Sequence, residues 1–265
     1  MGTPKAALEW HGSTLLRHVV GIVARGVRGP VIVVRAPGQL LPSLSDDIEI
    51  IEDPVEGRGP LQGLAAGLAA ARRHAEGAYV SSTDMPFLHP AFVRHVAGAL
   101  DGVDVALPKA RGYPQPLAAA YRTDLVDTIE GLIKQDRLRP AHLFEVSRVR
   151  RLDDAELLAD PILANWDPNL DSLLNVNEPG DYQDARARPA PEVTVRRFGV
   201  LRRIGSAPDP AQVHAATLAE AAREIGLELD AHIVAALNGD QIMRDGDVPL
   251  VAGDSVAFLS ADGGG

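Results

Sequence analysis

The chain has 265 residues, of which 46% are hydrophobic and 23% are charged, and its formal net charge is −10. This composition is ordinary for a soluble globular protein and leaves room for two modest domains. The acidic balance argues against non-specific nucleic-acid binding, and the absence of cysteine excludes disulfides and thiolate catalysis. No apolar run approaches the roughly 18 residues that span a bilayer, and the first residues lack the basic-then-apolar order of a secretion signal. We therefore expect a cytoplasmic protein without nucleic-acid or membrane partners.

The first part of the chain alternates between helix-like and strand-like runs. Residues 13–26 begin with two cap candidates, carry apolar residues at helical spacing and end on glycine, which predicts an amphipathic helix. The short apolar, β-branched run at residues 30–36 predicts a buried strand. Further strands are predicted at residues 48–53, 78–84, 103–110 and 115–122, and further helices at residues 59–75 and 89–100. This alternation predicts an α/β fold with an open, mostly parallel Rossmann-like sheet.

A change in composition marks a boundary before residue 192. Charged residues, alanines and prolines interrupt every periodic pattern there, which is typical of a semi-extended spacer. We predict a first domain at residues 1–184, a linker at 185–191 and a second domain at 192–265.

The second domain begins with an alternating strand and has a helix capped by Thr217, an Asn-Gly hairpin and a last strand at residues 254–261. This order predicts a small α+β domain. Its predicted core residues are Val195, Phe198, Leu218, Ile225, Val234 and Phe258.

Asp84 directly follows a predicted strand of the first domain. Ligands of open α/β sheets bind beyond the carboxyl ends of the strands, where a carboxylate can hold Mg²⁺ against phosphate oxygens. Spacing alone favours a different interpretation, in which Asp84 caps the helix that follows Pro86.

Five motifs of the first domain, MGTPKAAL, GRGPLQGL, STDMPFL, YPQPLAAAYR and NVNEPGDY, occur in the order and at the rough spacing of the molybdenum cofactor guanylyltransferase family. The first domain resembles this group of nucleotidyltransferases. The resemblance implies a Mg²⁺-dependent transfer of GMP from GTP to the terminal phosphate of molybdopterin, with release of pyrophosphate. Two alternatives stay open: a cytidylyltransferase that uses CTP, and an inactive scaffold.

The resemblance also implies roles for individual residues. Lys5 matches the lysine at the nucleotide phosphates, Gly2 the glycine-rich turn beside it, and Asp84 the magnesium-binding aspartate. Asp181 matches a second carboxylate facing the metal. The segment near base and ribose is matched by Gly59, Pro60, Leu61 and Gly63, and the acceptor side by Gln115 and Asn177. Each position also has a purely structural interpretation: a solvated lysine, turn glycines, and Asp181 as the cap of a terminal helix.

The family pattern places an apolar strand and a turn reading roughly Leu-Ala-Gly-Gly-x-Ser-x-Arg before the Met-Gly pair. Such a turn supplies backbone N–H groups that hold a triphosphate. We therefore expect the natural start to lie upstream of Met1, and we expect very little transfer by a chain that begins there.

Residues 192–265 resemble the small sulfur-carrier subunit of molybdopterin synthase, a ubiquitin-like (β-grasp) protein. The resemblance lies in VTVRRFGVLRRIG, TLAEAAREIGL, VAALNGDQI and LVAGDSVAFLSADGGG. It implies that Gly264 and Gly265 form a reactive tail whose carboxylate is adenylated and converted to a thiocarboxylate. The implied partners are an adenylating activating enzyme and the catalytic subunit of the synthase. Together the two resemblances predict a fusion protein of molybdenum cofactor biosynthesis, with a carrier on an inactive scaffold as the alternative.

Overall fold

A computed structural model describes residues 4–54, 59–110, 112–204, 207–239 and 241–261. Three predicted site residues, Gly2, Gly264 and Gly265, lie outside these described residues. Within these ranges, no helix has the length and apolar character needed to cross a bilayer.

The first domain contains the predicted alternation of helices and strands. Its strands are β1 (Glu9–Trp10), β2 (Ser13–Thr14), β3 (Ile32–Arg35), β4 (Glu49–Glu52), β5 (Gly77–Ser81), β6 (Val105–Ala110), β7 (Tyr113–Pro114), β8 (Ala118–Arg122) and β9 (Val149–Leu152). Its helices are α1 (Leu15–Gly26), α2 (Pro60–Ala71), α3 (Pro90–Gly98), α4 (Val126–Lys134), α5 (Pro140–Glu145), α6 (Asp154–Leu157), α7 (Pro161–Trp166) and α8 (Pro179–Ala187).

The strands of the first domain form mixed sheets, so the predicted mostly parallel sheet is wrong. In the described residues, β3 and β4 form a two-stranded parallel sheet. In a separate sheet, β8 lies between β5 and β6 and is antiparallel to both. β9 pairs in parallel with β6, on the side of β6 opposite to β8. Parallel neighbours need a crossover of about a dozen residues or more. The chain from β6 to β8 is shorter and turns back at Gly112, where φ is 86°, so β8 returns antiparallel.

Helix α1 shows how the sequence builds the core of this domain. The Thr14 hydroxyl accepts a hydrogen bond from Arg17 N, and Leu15, Val19 and Ile22 are buried at helical spacing. His18 lies on the same buried side, where its Nε2 contacts the Pro86 carbonyl oxygen at 2.8 Å. Burial lowers the pKa of His18 to about 4, so the imidazole is neutral in the folded protein at pH 7.

The second domain is a small α+β unit, as predicted. Its elements are β10 (Glu192–Arg197), β11 (Ala211–His214), α9 (Leu218–Glu224), β12 (Ile233–Leu237), β13 (Gln241–Met243) and β14 (Ser255–Ser260). The strands lie in the order β11-β10-β14-β12-β13, and β10 runs parallel to β14. Thr217 caps α9 through a hydrogen bond from Glu220 N, as predicted.

Two details of the prediction differ from the structure. Helix α8 continues to Ala187, past the predicted boundary at 184, because Ala185 is buried against the first domain. Phe198 and Val234 are not core residues, because Phe198 is 38% exposed and Val234 is half-buried. Phe198 precedes a turn at Gly199, where φ is 58°, and Leu201 takes the buried position instead.

The depressed pKa of His18 makes the stability of the protein depend on pH. Between pH 6.5 and about 4 the unfolded state binds more protons, so the free energy of unfolding falls on acidification. The shift corresponds to about 3 kcal/mol. We expect His18→Gln to reduce this pH dependence in denaturant titrations, whereas His214→Gln, at an exposed position, leaves it unchanged. Equal slopes for His18→Gln and the parent chain would contradict this assignment.

Candidate functional site

Lys5 stands at the start of a short 3₁₀ turn, Lys5–Ala7, that precedes β1. Ala6 is buried and packs in a small cluster with Leu16 and Val33. The Lys5 side chain is 37% exposed, so its ammonium group is accessible from solvent. The turn is therefore anchored by its alanine while the lysine stays available to a ligand.

Asp84 lies just beyond the carboxyl end of β5, as predicted. Its neighbour Met85 is fully buried, and its own carbonyl oxygen accepts a hydrogen bond of 2.8 Å from Val176 N. Its Oδ1 accepts a hydrogen bond of 2.5 Å from the Ser82 hydroxyl. The alternative role as a helix cap is wrong, because His89 caps α3 by accepting a hydrogen bond from Ala91 N.

Three residues from distant parts of the chain meet at the Lys5 ammonium group. Lys5 Nζ donates hydrogen bonds to Asp84 Oδ2 at 3.1 Å and to Asn177 Oδ1 at 3.0 Å. The Asp84 side chain is 18% exposed, so this ion pair lies at the edge of the protein interior. The three predicted residues Lys5, Asp84 and Asn177 thus form one cluster.

Asp181 supports this cluster from behind. Its Oδ2 accepts hydrogen bonds of 2.9 Å from both Asn177 N and Glu178 N, which closes the capping box of α8. The Glu178 N–H, with that of Asn177, lowers the pKa of the Asp181 carboxyl. The capping interpretation is therefore confirmed. Metal coordination by Asp181 stays a prediction.

The remaining predicted residues of the first domain have local structural roles. Gly59, with φ of 82°, precedes Pro60 at the start of α2, where a left-handed backbone requires glycine. Leu61 is fully buried in the core, so its side chain is closed to a ligand. Gln115 donates from Nε2 to the Tyr113 carbonyl oxygen at 3.3 Å. Among the hydrogen bonds of the described residues, none joins these positions or Gly63 to the Lys5 cluster.

Sequence reasoning missed two supports of the site. The Ser82 hydroxyl holds Asp84, and its position two residues before a carboxylate is a usable signal for such a contact. Glu9 ties β1 to α8, since its carbonyl oxygen accepts from the Tyr182 hydroxyl and its carboxylate pairs with Arg186 at 2.6 Å. No local pattern in the sequence connects residues so far apart.

The donor atoms of the cluster fit a hard divalent cation. Asp84 Oδ2 and Asn177 Oδ1 converge on one positive charge, and carboxylate and amide oxygens are ligands of Mg²⁺. In the described ranges, no group of three or more His, Cys, Asp or Glu side chains is placed to hold a metal. One or two protein oxygens suffice where substrate phosphates and water complete the coordination of Mg²⁺.

Comparisons with known proteins identify relatives of the first part of the chain. The MobA-like NTP transferase domain family matches residues 1–150. A probable molybdenum cofactor guanylyltransferase of Mycobacterium tuberculosis H37Rv is 36% identical over 157 residues, which are 57% of this chain and 76% of that protein. Its counterpart in Mycobacterium avium is 40% identical over 139 residues, covering 50% of this chain and 68% of that protein.

Solved structures share the α/β fold. Molybdopterin-guanine dinucleotide biosynthesis protein A from Archaeoglobus fulgidus matches with a TM-score of 0.54 and 25% identity, over 70% of this chain and 90% of that chain. A 2-C-methyl-D-erythritol 4-phosphate cytidylyltransferase from Thermus thermophilus matches with a TM-score of 0.51 and 19% identity, over 69% of this chain and 92% of that chain. At the latter identity the similarity shows the fold alone.

The contact of Asp181 with Asn177 N makes the positioning role of Asp181 testable. We expect Asp181→Ala to lower the free energy of unfolding by about 1 kcal/mol and to weaken Mn²⁺ binding by about fivefold, because Asn177 loses its anchor. Glu156→Ala is the matched control, since Glu156 holds the same third position in the capping box of α6. The control should lose similar stability without a change in Mn²⁺ binding, measured by electron paramagnetic resonance. Equal effects on Mn²⁺ would contradict the positioning role of Asp181.

Proposed function

The chain belongs to the MobA-like NTP transferase family, and we propose that it transfers GMP from GTP to molybdopterin and releases pyrophosphate. The observation that carries this proposal is the convergence of Lys5, Asp84 and Asn177 beyond the end of β5. The names of the relatives, probable molybdenum cofactor guanylyltransferases, support GTP as the nucleotide.

The chemistry requires charge neutralisation and alignment. A terminal phosphate oxygen of molybdopterin attacks the α-phosphorus of GTP, a new P–O bond forms, and the bond to the β-phosphate breaks. Asp84 and Asn177 would hold Mg²⁺, which supplies positive charge to the phosphate oxygens when bound. Lys5, released from these two oxygens, donates its N–H groups to the triphosphate. Ser82 and Asp181 keep the two oxygen donors oriented.

We assign the start of α2 to the base and ribose side of the site. The backbone at Gly59 and Gly63 has no side chain to obstruct an approaching ligand, and Leu61 fixes the helix by burial in the core. Gln115 lies in the turn between β7 and β8, and we assign it to the acceptor side.

A product assay tests the transfer. The full natural chain, with any residues that precede Met1, is incubated with molybdopterin, Mg²⁺ and either GTP or CTP, and dinucleotide and pyrophosphate are quantified. We expect product with GTP, and a loss of at least about 100-fold for Asp84→Asn and for Lys5→Met, because each removes a charge facing the phosphates. Lys134→Met, in the last turn of α4, is the matched control and should keep full activity.

Comparison of GTP with CTP distinguishes a wrong nucleotide assignment from an inactive protein. Turnover with CTP instead of GTP would overturn the guanine assignment and keep the transferase. No product with either nucleotide, from protein whose circular dichroism is native, would support the scaffold alternative. A Lys134→Met variant as inactive as Lys5→Met would remove the specific role of Lys5.

A second function is proposed for residues 192–265, that of a sulfur carrier. The supporting observation is the sheet order, in which the first and last strands of the domain, β10 and β14, lie side by side and parallel, with α9 in the connection between the two hairpins. This is the strand order of a ubiquitin-like β-grasp domain. β14 leads directly to the glycine tail, so Gly265 follows the central strand by only a few residues.

In this function the Gly265 carboxylate attacks the α-phosphorus of ATP and displaces pyrophosphate, and a sulfide-level donor then displaces AMP. The expected partners are an adenylating enzyme and the catalytic subunit of molybdopterin synthase. With the adenylating enzyme, ATP and sulfide, we expect the intact mass to increase by one exchange of oxygen for sulfur. A variant lacking Gly265 should show no increase. An unchanged mass of the full chain would contradict the carrier function.

A further inference from the structure

Helix α1 presents a stripe of residues toward the second domain. Arg17, Gly21 and Arg25 are spaced four apart, so they lie on one face of the helix. All three contact residues 245–254, the segment that leads into β14. The sequence pattern of α1 indicated its amphipathic character but did not reveal this second use.

Arg25 makes the central polar contact of the stripe. Its Nη2 donates to Asp254 Oδ1 at 2.6 Å and its Nη1 to the Pro249 carbonyl oxygen at 2.8 Å. The side chains of Arg25 and Asp254 are only 9% and 4% exposed. Asp254 also accepts from Val251 N at 2.8 Å and from Asn238 Nδ2 at 2.9 Å. Both buried charges therefore have several hydrogen-bond partners, which a buried ion pair needs to offset its desolvation.

Two glycines let the domains approach closely. A Cβ atom at Gly21 would lie 2.6 Å from Cδ of Pro249, so the helix has no room for a side chain there. On the other side, Gly253 packs against the ring of Trp166, and its φ of 85° also favours glycine. Glycine inside a helix lowers helix stability by roughly 1 kcal/mol relative to alanine. Contact with Pro249 is the reason the structure offers for glycine at position 21.

Apolar and rim contacts complete the surface. Val251 is buried within the core of the first domain rather than in that of the second. Arg17 pairs with Asp247 at 2.9 Å at the solvent-exposed rim. His89 faces the Ala252 carbonyl oxygen from the start of α3 at 3.3 Å.

A cleft of about 320 Å³ lies at this junction. Four polar side chains that line it, those of Arg25, His89, Asn238 and Asp254, are bonded to one another or to the backbone. Groups that already satisfy each other offer little to a ligand. The chemistry of the cleft favours an interface between the domains.

We propose that the face of α1 formed by Arg17, Gly21 and Arg25 is a docking surface for residues 245–254, and that the two domains move as one body. The linker allows independent motion by its composition, but the buried Arg25–Asp254 pair and the inserted Val251 fix the orientation. The face of the second domain around Pro249 is consequently closed to other proteins. This inference stands independently of the proposed catalytic and carrier functions.

Distance measurements on the full chain test the proposal. The chain has no cysteine, so spin labels can be placed specifically at Glu130→Cys on α4 and Glu224→Cys on α9, both exposed. Pulsed electron resonance should give one narrow distance distribution. Gly21→Leu should broaden it, because the added side chain collides with Pro249. The same change favours the helix itself, so the first domain should stay folded, which circular dichroism verifies.

A matched control separates docking from general effects. Gly98→Leu lies at the end of α3, where an added Cβ would meet nothing within 4 Å, and it should leave the distribution narrow. Arg25→Met should reduce the docked population by at least about tenfold, since it leaves Asp254 buried without its partner. A broad distribution in the parent chain, or a narrow one in Gly21→Leu, would overturn the proposal.

Discussion

Three polar side chains meet in the candidate site because a residue near or beside each of them is buried. Ala6 anchors the turn of Lys5, Met85 anchors the loop of Asp84, and Val176 anchors the segment of Asn177. The backbone hydrogen bond from Val176 N to the Asp84 carbonyl oxygen fixes the loop of Asp84 against the segment of Asn177. With these anchors in the core, the backbone that carries the three side chains is held in place. Holding this backbone therefore costs little further entropy when a ligand binds.

The elements of the fold were accessible from sequence because their signals are local. Thr14 before an apolar helical stripe and Thr217 before α9 are caps whose partners lie three residues away. The order of the strands was not accessible in this way. The short connection after β6 makes β8 antiparallel to β6, but the position of β8 between β6 and β5 depends on its pairing with β5, a segment distant in the chain.

The candidate site likewise has residues that the sequence indicated and residues that it did not. Lys5, Asp84 and Asn177 were selected through a resemblance that spans the domain, and the structure brings them together. The support from Glu9 to Tyr182 and Arg186 joins residues more than 170 positions apart, and no spacing rule reports such a contact. Phe198 failed as a core residue because the buried positions of β10 are 193, 195 and 197, so alternation leaves position 198 on the opposite side, while Leu201 is buried.

The packing of Gly253 against Trp166 has a consequence for how the sequence can vary. The indole ring belongs to α7 and the glycine to the loop before β14, so a change at one position alters the space available at the other. A residue larger than glycine fits at position 253 only if a smaller side chain replaces Trp166 and the backbone at 253 leaves its left-handed conformation. The two halves of this polypeptide are therefore poor candidates for exchange with those of a distant homologue, because each carries the complement of the other's surface.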